Sequence, residues 1–151
     1  MIEGVRIKKL VRHVDERGWL MEILRDDDEI FIDFGQVYVS ACFPGIVKAW
    51  HCHEIQTDSF CVLSGNARIG LYDDREGSPT CGEAQSIVAG ELNPVVVQIP
   101  PLVWHGFGAV GGQPAMVLNV PTEHYNREKP DELRRPLEDP AIPFDWFPKG
   151  G

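Results

Sequence analysis

The chain has 151 residues, 43% of them apolar and 25% charged, which suits one soluble globular domain and leaves little room for a second. A formal net charge of −9 excludes a nucleic-acid polymer as partner, because a phosphate backbone needs a basic face. The apolar runs are too short to span a bilayer, and Met1-Ile2-Glu3-Gly4-Val5-Arg6 lacks the layout of a signal peptide, so the expected address is cytoplasmic.

In chain order the sequence reads as short strands divided by turns. Val5–Val11 is a predicted strand, Asp15-Glu16-Arg17-Gly18 a turn, and Trp19–Leu24 a second extended segment. Arg25–Phe34 is acidic and fits a helical turn or a loop. Gln36–Phe43 alternates, with Val37, Val39 and Cys42 among its less polar positions, and stops at Pro44-Gly45. Further strands are expected at Val47–His53, Ser59–Leu63, Ala67–Tyr72, Gln85–Val88, Val95–Ile99 and Ala115–Asn119. Segments this short and regular predict an all-β sandwich or barrel, and no long helix-period stretch competes.

Cys42, Cys52, Cys61 and Cys81 show no CxxC spacing and read as small, partly buried hydrophobes rather than disulfides. From Pro121 to Pro148 the chain holds six prolines and many charges, which disfavours helix interiors and central strands. Tyr125, Phe144, Trp146 and Phe147 give this stretch something to bury, so it is expected as an ordered tail across the barrel.

The chemistry concentrates between Gly45 and Gly65, which spell G-x5-H-x-H-x4-D-x6-G through His51, His53 and Asp58. Residues two apart on a strand share a face, so His51 and His53 project together, and a tight turn can return Asp58 beside them. The facing of Asp58 stays open, because Ser59–Leu63 is apolar in both registers. His105 follows the turn at Pro100-Pro101, and Trp50 and Trp104, each preceding a histidine, should face the opposite way. An anionic ligand would draw on Arg17, Lys48, Arg68 or Arg75, the cations nearest these motifs.

This spacing resembles the two motifs of the cupin superfamily, with Asp58 where glutamate is usual and Leu102 where glycine is usual. The resemblance implies a single jelly-roll β-barrel over residues 1–120, with 121–151 a proline-rich tail of the same domain. It also implies a divalent-metal set of His51, His53, Asp58 and His105, whose donors suit zinc, iron, manganese, nickel or copper without selecting among them. The alternative is a set of barrel-lining polar residues bonded to one another.

Nearly the whole chain also resembles the dTDP-4-dehydrorhamnose 3,5-epimerase family and its shorter relatives. The matching pieces are Asp15-Glu16-Arg17-Gly18 with Glu22, Pro44-Gly45 leading to His51, Asp73-Asp74-Arg75 with Gly77-Ser78-Pro79-Thr80, and His105-Gly106-Phe107. That resemblance implies a homodimer, no required cofactor, and a dTDP-linked 4-keto-6-deoxy sugar as substrate. It places His51 as the base, with His53, Asp58, His105 and Tyr125 as further catalytic candidates and Arg17, Glu22, Lys48, Gln56 and Arg75 as substrate contacts. The departures are specific: the family's lysine near the sugar ketone falls at Asp58, its proton-returning tyrosine near Leu118, and an arginine at Lys48. Asp58 could then orient His51 or His53 as a substitute dyad partner in an epimerase, or in a ketoisomerase with paired histidines. Alternatively it joins the histidines around a metal in a cupin enzyme of another class, or the chain binds a sugar nucleotide without catalysis.

Overall fold

The structure, a computed structural model, describes residues 1–147; residues 148–151, the end of the expected tail, lie outside the described residues. The strands are β1 (Arg6–Lys9), β2 (His13–Asp15), β3 (Gly18–Leu20), β4 (Tyr38–Cys42), β5 (Val47–Cys52), β6 (Asp58–Ser64), β7 (Asn66–Asp73), β8 (Ala84–Gly90), β9 (Val95–Ile99), β10 (Val103–Val110), β11 (Ala115–Asn119) and β12 (Leu133–Arg134). No α-helix occurs among the described residues, and none there is long and apolar enough to cross a membrane. Two five-stranded sheets, ordered β1-β9-β6-β11-β4 and β12-β5-β10-β7-β8, pack into the jelly-roll of a cupin; β2 and β3 form a separate hairpin.

The core between the sheets holds Phe60, Ile69, Leu71, Val97, Ile99, Val103, Phe107 and Val117, all buried. Every residue of β9 is buried, Gln98 included, because both its faces are covered. Val95, Val97 and Ile99 point into that core, while Val96 meets Leu10 and Cys61 under Met21, Ile23 and Ile30. The predicted strand Trp19–Leu24 therefore ends at Leu20: beyond it the chain serves as an apolar cover for the first sheet. Arg25–Phe34 is a loop of turns fastened by the Lys8–Asp28 ion pair.

Two strands depart from their sequence pattern. In β4 the inward positions are Ser40 and the buried Cys42, while Val39 is 47% exposed, so the apolar face of that strand is the outer one. The reason is its neighbour, β11, whose Asn119 stands opposite Tyr38 inside the barrel. β10 is an eight-residue strand central to the second sheet, although Gly106 and Gly108 weaken its strand pattern. Gly106 is required by a bulge: His105 pairs with His51 and Phe107 with Lys48, so Ala49 and Trp50 together stand opposite one residue. A Cβ on Gly106 would fall 2.2 Å from the Cβ of Ala49.

The tail packs on the outer face of the second sheet. Trp146 and Ile142 are buried against Trp50, Cys52, Tyr72 and Trp104, so both tryptophans that precede histidines do face away from them. Gly70 leaves room for the indole, since a Cβ there would lie 2.5 Å from Trp146. Phe147 and Tyr125 remain exposed. All four cysteines are free; Cys42, Cys52 and Cys61 are buried, whereas Cys81 is exposed. Burial pushes the Cys52 thiol up to about 12 and that of Cys61 up to about 11, which makes both unreactive.

Candidate active site

The bulge gives β5 its functional face. Because it inserts one extra residue, Lys48 and His51 both project into the barrel beside Phe107 and His105, although they are three apart in sequence. His53 lies just past the end of β5, and Asp58 opens β6, fully buried, with its side chain turned inward. The four groups present one ligand-capable atom each, all within 4.8 Å of one another.

Asp58 is the hub. Its Oδ2 lies 2.9 Å from His105 Nε2 and 3.3 Å from His53 Nε2, while Oδ1 accepts from Gln56 Nε2 at 2.7 Å and Asn119 Nδ2 at 2.8 Å. Burial works against ionisation here, but the hydrogen bonds from His105 and His53 outweigh it and hold the carboxyl well below the usual range. His105 Nδ1 lies 2.8 Å from the Val103 carbonyl oxygen, and its Nε2 faces Asp58 Oδ2. His53 Nδ1 donates to the Asp131 carbonyl on the tail, and its Nε2 lies 3.3 Å from both Gln56 Nε2 and Asp58 Oδ2. Burial opposes charge on His53, yet Asp58 more than compensates and raises its pKa. The neutral ring accepts from Gln56; the protonated ring donates to Asp58.

His51 is different. Its ring has no hydrogen-bond partner among the described residues, and burial first, then the neighbouring His105, depress its pKa well below the ordinary histidine value. At neutral pH it is an unprotonated imidazole facing open space. That space is a cavity of about 570 Å³ adjoining a second of about 550 Å³. His51, Tyr38 and Glu132 line both.

Neither Asp58 nor His105 reaches the cavity wall, so the structure places them beneath His51 and His53. Gln56 and Tyr125 line the larger cavity and Lys48 the smaller, where its Nζ lies 2.8 Å from Ser40 Oγ. Arg17, Glu22 and Arg75 do not line either. Arg17 is paired with Asp15 on the exposed hairpin, Glu22 with Arg25, and Arg75 is held by Asp73 and the Glu3 carbonyl. Asp73 accepts from Arg75, Ser78 and Thr80, so the Asp73–Thr80 motif is a self-satisfied turn.

Sequence reasoning missed Tyr38, Asn119, Asp131 and the tail residues Glu132 and Arg134. Leu118, at the tyrosine position of the resemblance, packs into the outer cluster with Cys61 and Val96, whereas Asn119 faces in. The Asn119 amide is oriented by Ser59 N–H, which donates to Oδ1 at 3.0 Å, so Nδ2 donates to the Tyr38 hydroxyl at 2.9 Å. Burial keeps the Tyr38 phenol above its ordinary pKa, and its own O–H is left to donate into the cavity. Asp131 caps the turn after β5: its carboxylate accepts from the N–H groups of Glu54, Ile55 and Gln56. A lone aspartate at 78 residues' separation from His53 carries no local signal in sequence.

The donor set fits a divalent ion in composition and spacing. Backbone carbonyls fix the Nδ1 atoms of His53 and His105 and direct Nε2 inward, the orientation that metal-bound imidazoles use.

The proteins this chain is similar to are sugar-nucleotide epimerases and isomerases, and the chain is an enzyme of that kind. It belongs to the Polysaccharide biosynthesis C-terminal domain family, which it matches over residues 13–133. It is 46% identical to the "Probable low-salt glycan biosynthesis epimerase" of Haloferax volcanii, covering 96% of this chain and 94% of that one. Over 97% of both chains it is 42% identical to the spore coat polysaccharide biosynthesis protein SpsL of Bacillus subtilis. A solved dTDP sugar isomerase from Desulfovibrio desulfuricans superposes with a TM-score of 0.90 at 37% identity, covering 96% of this chain and 92% of that one. More distantly, the chain is a short relative of the dTDP-4-dehydrorhamnose 3,5-epimerases.

Proposed function

We propose that this enzyme transfers a proton at carbon next to the ketone of a nucleotide-linked 4-keto-6-deoxy sugar, with dTDP as the nucleotide. The observation that carries the reading is His51: a neutral ring with no competing partner, facing a cavity large enough for a sugar nucleotide. His51 takes the carbon-bound proton, and the C–H electron pair moves onto the carbonyl oxygen as an enolate. Tyr38, on the opposing sheet, gives its phenolic proton to the carbon from the other face, and the electron pair returns from oxygen to reform the ketone. Solvent restores both groups.

Asp58, His53 and His105 are positioning residues in this account. The acceptor sites of Asp58 are filled by four side chains, so its charge is spent on His105 and His53 rather than turned on the enolate. Tyr125, exposed at the cavity rim, acts as a substrate contact rather than as the acid. Arg17 and Glu22 reach a sugar nucleotide only from a second copy, which agrees with a homodimer built on the exposed Trp19 and Leu20 of the hairpin. A monomer mass at micromolar concentration overturns that dimer. The tail is taken as part of the same domain, and the enzyme as cytoplasmic.

Proton NMR with dTDP-4-keto-6-deoxyglucose in deuterated water tests the reading. Enzyme-dependent loss of the C3 or C5 proton signal is expected, and new resonances then distinguish an epimer from a shifted ketone. Unchanged signals at high enzyme concentration reject this substrate.

A second reading follows from the four donors within 4.8 Å: a divalent ion held by His51, His53, Asp58 and His105 would supply Lewis-acid stabilisation of an oxyanion. Metal analysis after chelator treatment separates the two readings. An ion retained at one per chain favours the second; full exchange activity in metal-free protein favours the first.

A further inference from the structure

The two parts of the cavity differ in charge. The larger is walled by Glu54, Glu123, Asp131 and Glu132 against one lysine, Lys129. The smaller has Lys48, Arg134 and Arg135, and Glu132 as its one carboxylate. A diphosphate is repelled from the first and drawn to the second.

The three cations are not equivalent. Arg135 is committed to the scaffold, bonded to Asp74 with its guanidinium 4.2 Å over the Trp104 ring. Lys48 rests on Ser40 at the inner wall. Arg134 stands on β12, a strand that the tail adds to the edge of the second sheet and that pairs Arg134 with His51. Its side chain is 77% exposed and its ionic partner is Glu132, at 2.9 Å. The tail therefore places a guanidinium beside the base at the cavity mouth.

We propose that Arg134, together with Lys48, seats the diphosphate of the substrate, so that the nucleotide lies over the smaller cavity and the sugar extends past His51 and Tyr38. This rests on the nucleotide-sugar reading above. A guanidinium presents paired N–H donors to phosphate oxygens, a bidentate recognition that the Lys48 ammonium cannot supply. Glu132 is then an internal stand-in: it holds Arg134 in the free enzyme and yields it when a diphosphate arrives.

Calorimetric titration of the full chain with dTDP and with UDP, at fixed ionic strength, tests the seat without requiring turnover. Arg134→Ala is expected to weaken whichever nucleotide binds by about tenfold or more, with Arg134→Lys intermediate. Glu132→Gln is expected to tighten binding, because it removes the competing carboxylate; a purely structural ion pair predicts no gain. Thermal unfolding checks that each variant is folded, and the high exposure of Arg134 makes the alanine variant a mild one. Unchanged nucleotide affinity in Arg134→Ala, or no gain in Glu132→Gln, overturns the seat. If the wild type still exchanges sugar protons in that case, the enzymatic reading stands without it. A wild type that binds neither nucleotide and exchanges no proton overturns both.

Discussion

Strand β5 runs between two environments built on opposite principles. On its inner side His51, unpartnered among the described residues, stands over a polar network in which nearly every donor and acceptor is assigned: Asp58 to two histidines and two amides, His105 and His53 to backbone carbonyls. On its outer side Trp50 sits 4.9 Å from Trp146 and 5.3 Å from Phe144, ring against ring, in a cluster that binds the tail. The aromatic side depends on area and shape, and shape is forgiving. The polar side depends on completeness, because a buried charge that loses one partner keeps its desolvation cost. The two are coupled through the chain itself: the tail seated on Trp50 also delivers Asp131 to His53 and pairs β12 with His51.

The comparison can be broken in several places. The largest effect is expected for His51→Gln, which should cut proton exchange by about 10²–10⁴. Stability should barely change, since the ring forms no hydrogen bond; exchange rates and thermal unfolding together check this. Tyr38→Phe should slow product formation more than exchange; equal losses in both would remove it as the second proton carrier.

Asp58→Ala orphans four buried partners and should cost about 3–5 kcal/mol in urea unfolding. A loss under 1 kcal/mol would mean that the network relaxes as easily as the aromatic side.

Trp146→Ala should cost about 3 kcal/mol from lost burial, and should lower activity although Trp146 is far from His51 in sequence. Unimpaired activity would show that the tail seat and the active site are independent.

Acidity gives a finer test. His51 acts unprotonated and its pKa lies well below 6.5, so kcat/KM should hold as pH falls through 6.5 and decline only well below it. Stability carries two opposite signs. The contribution of Asp58, whose pKa is depressed, is present above the ordinary carboxylate value and is lost as pH falls through the folded one. That of His53, whose pKa is raised, is full below 6.5 and is lost as pH rises through the folded value. Urea midpoints across pH, with Gln replacing His53, isolate the second slope.

The smallest effect is expected for Phe147→Ala, within about 0.5 kcal/mol, because that ring stays exposed while its neighbour Trp146 is buried.

Much of this protein was legible in its sequence because the signals are local. Alternation and turn residues marked most strands, and strand geometry put His51 and His53 on one face, while the facing of Asp58 was decided only when β6 packed. The outward facing of Trp50 and Trp104 followed from the same period. Other features came only with tertiary structure. The β5 bulge sets which residues share the face of His51, and its partner glycine in β10 hid a central strand behind a weak pattern. Tyr38 and Asn119 meet across two strands 81 residues apart, and Arg134 reaches the cavity only because a proline-rich tail folds back as an edge strand. The charge state of His51 was beyond the sequence for the same reason: it follows from burial and neighbouring charge, and both exist only once distant segments have packed.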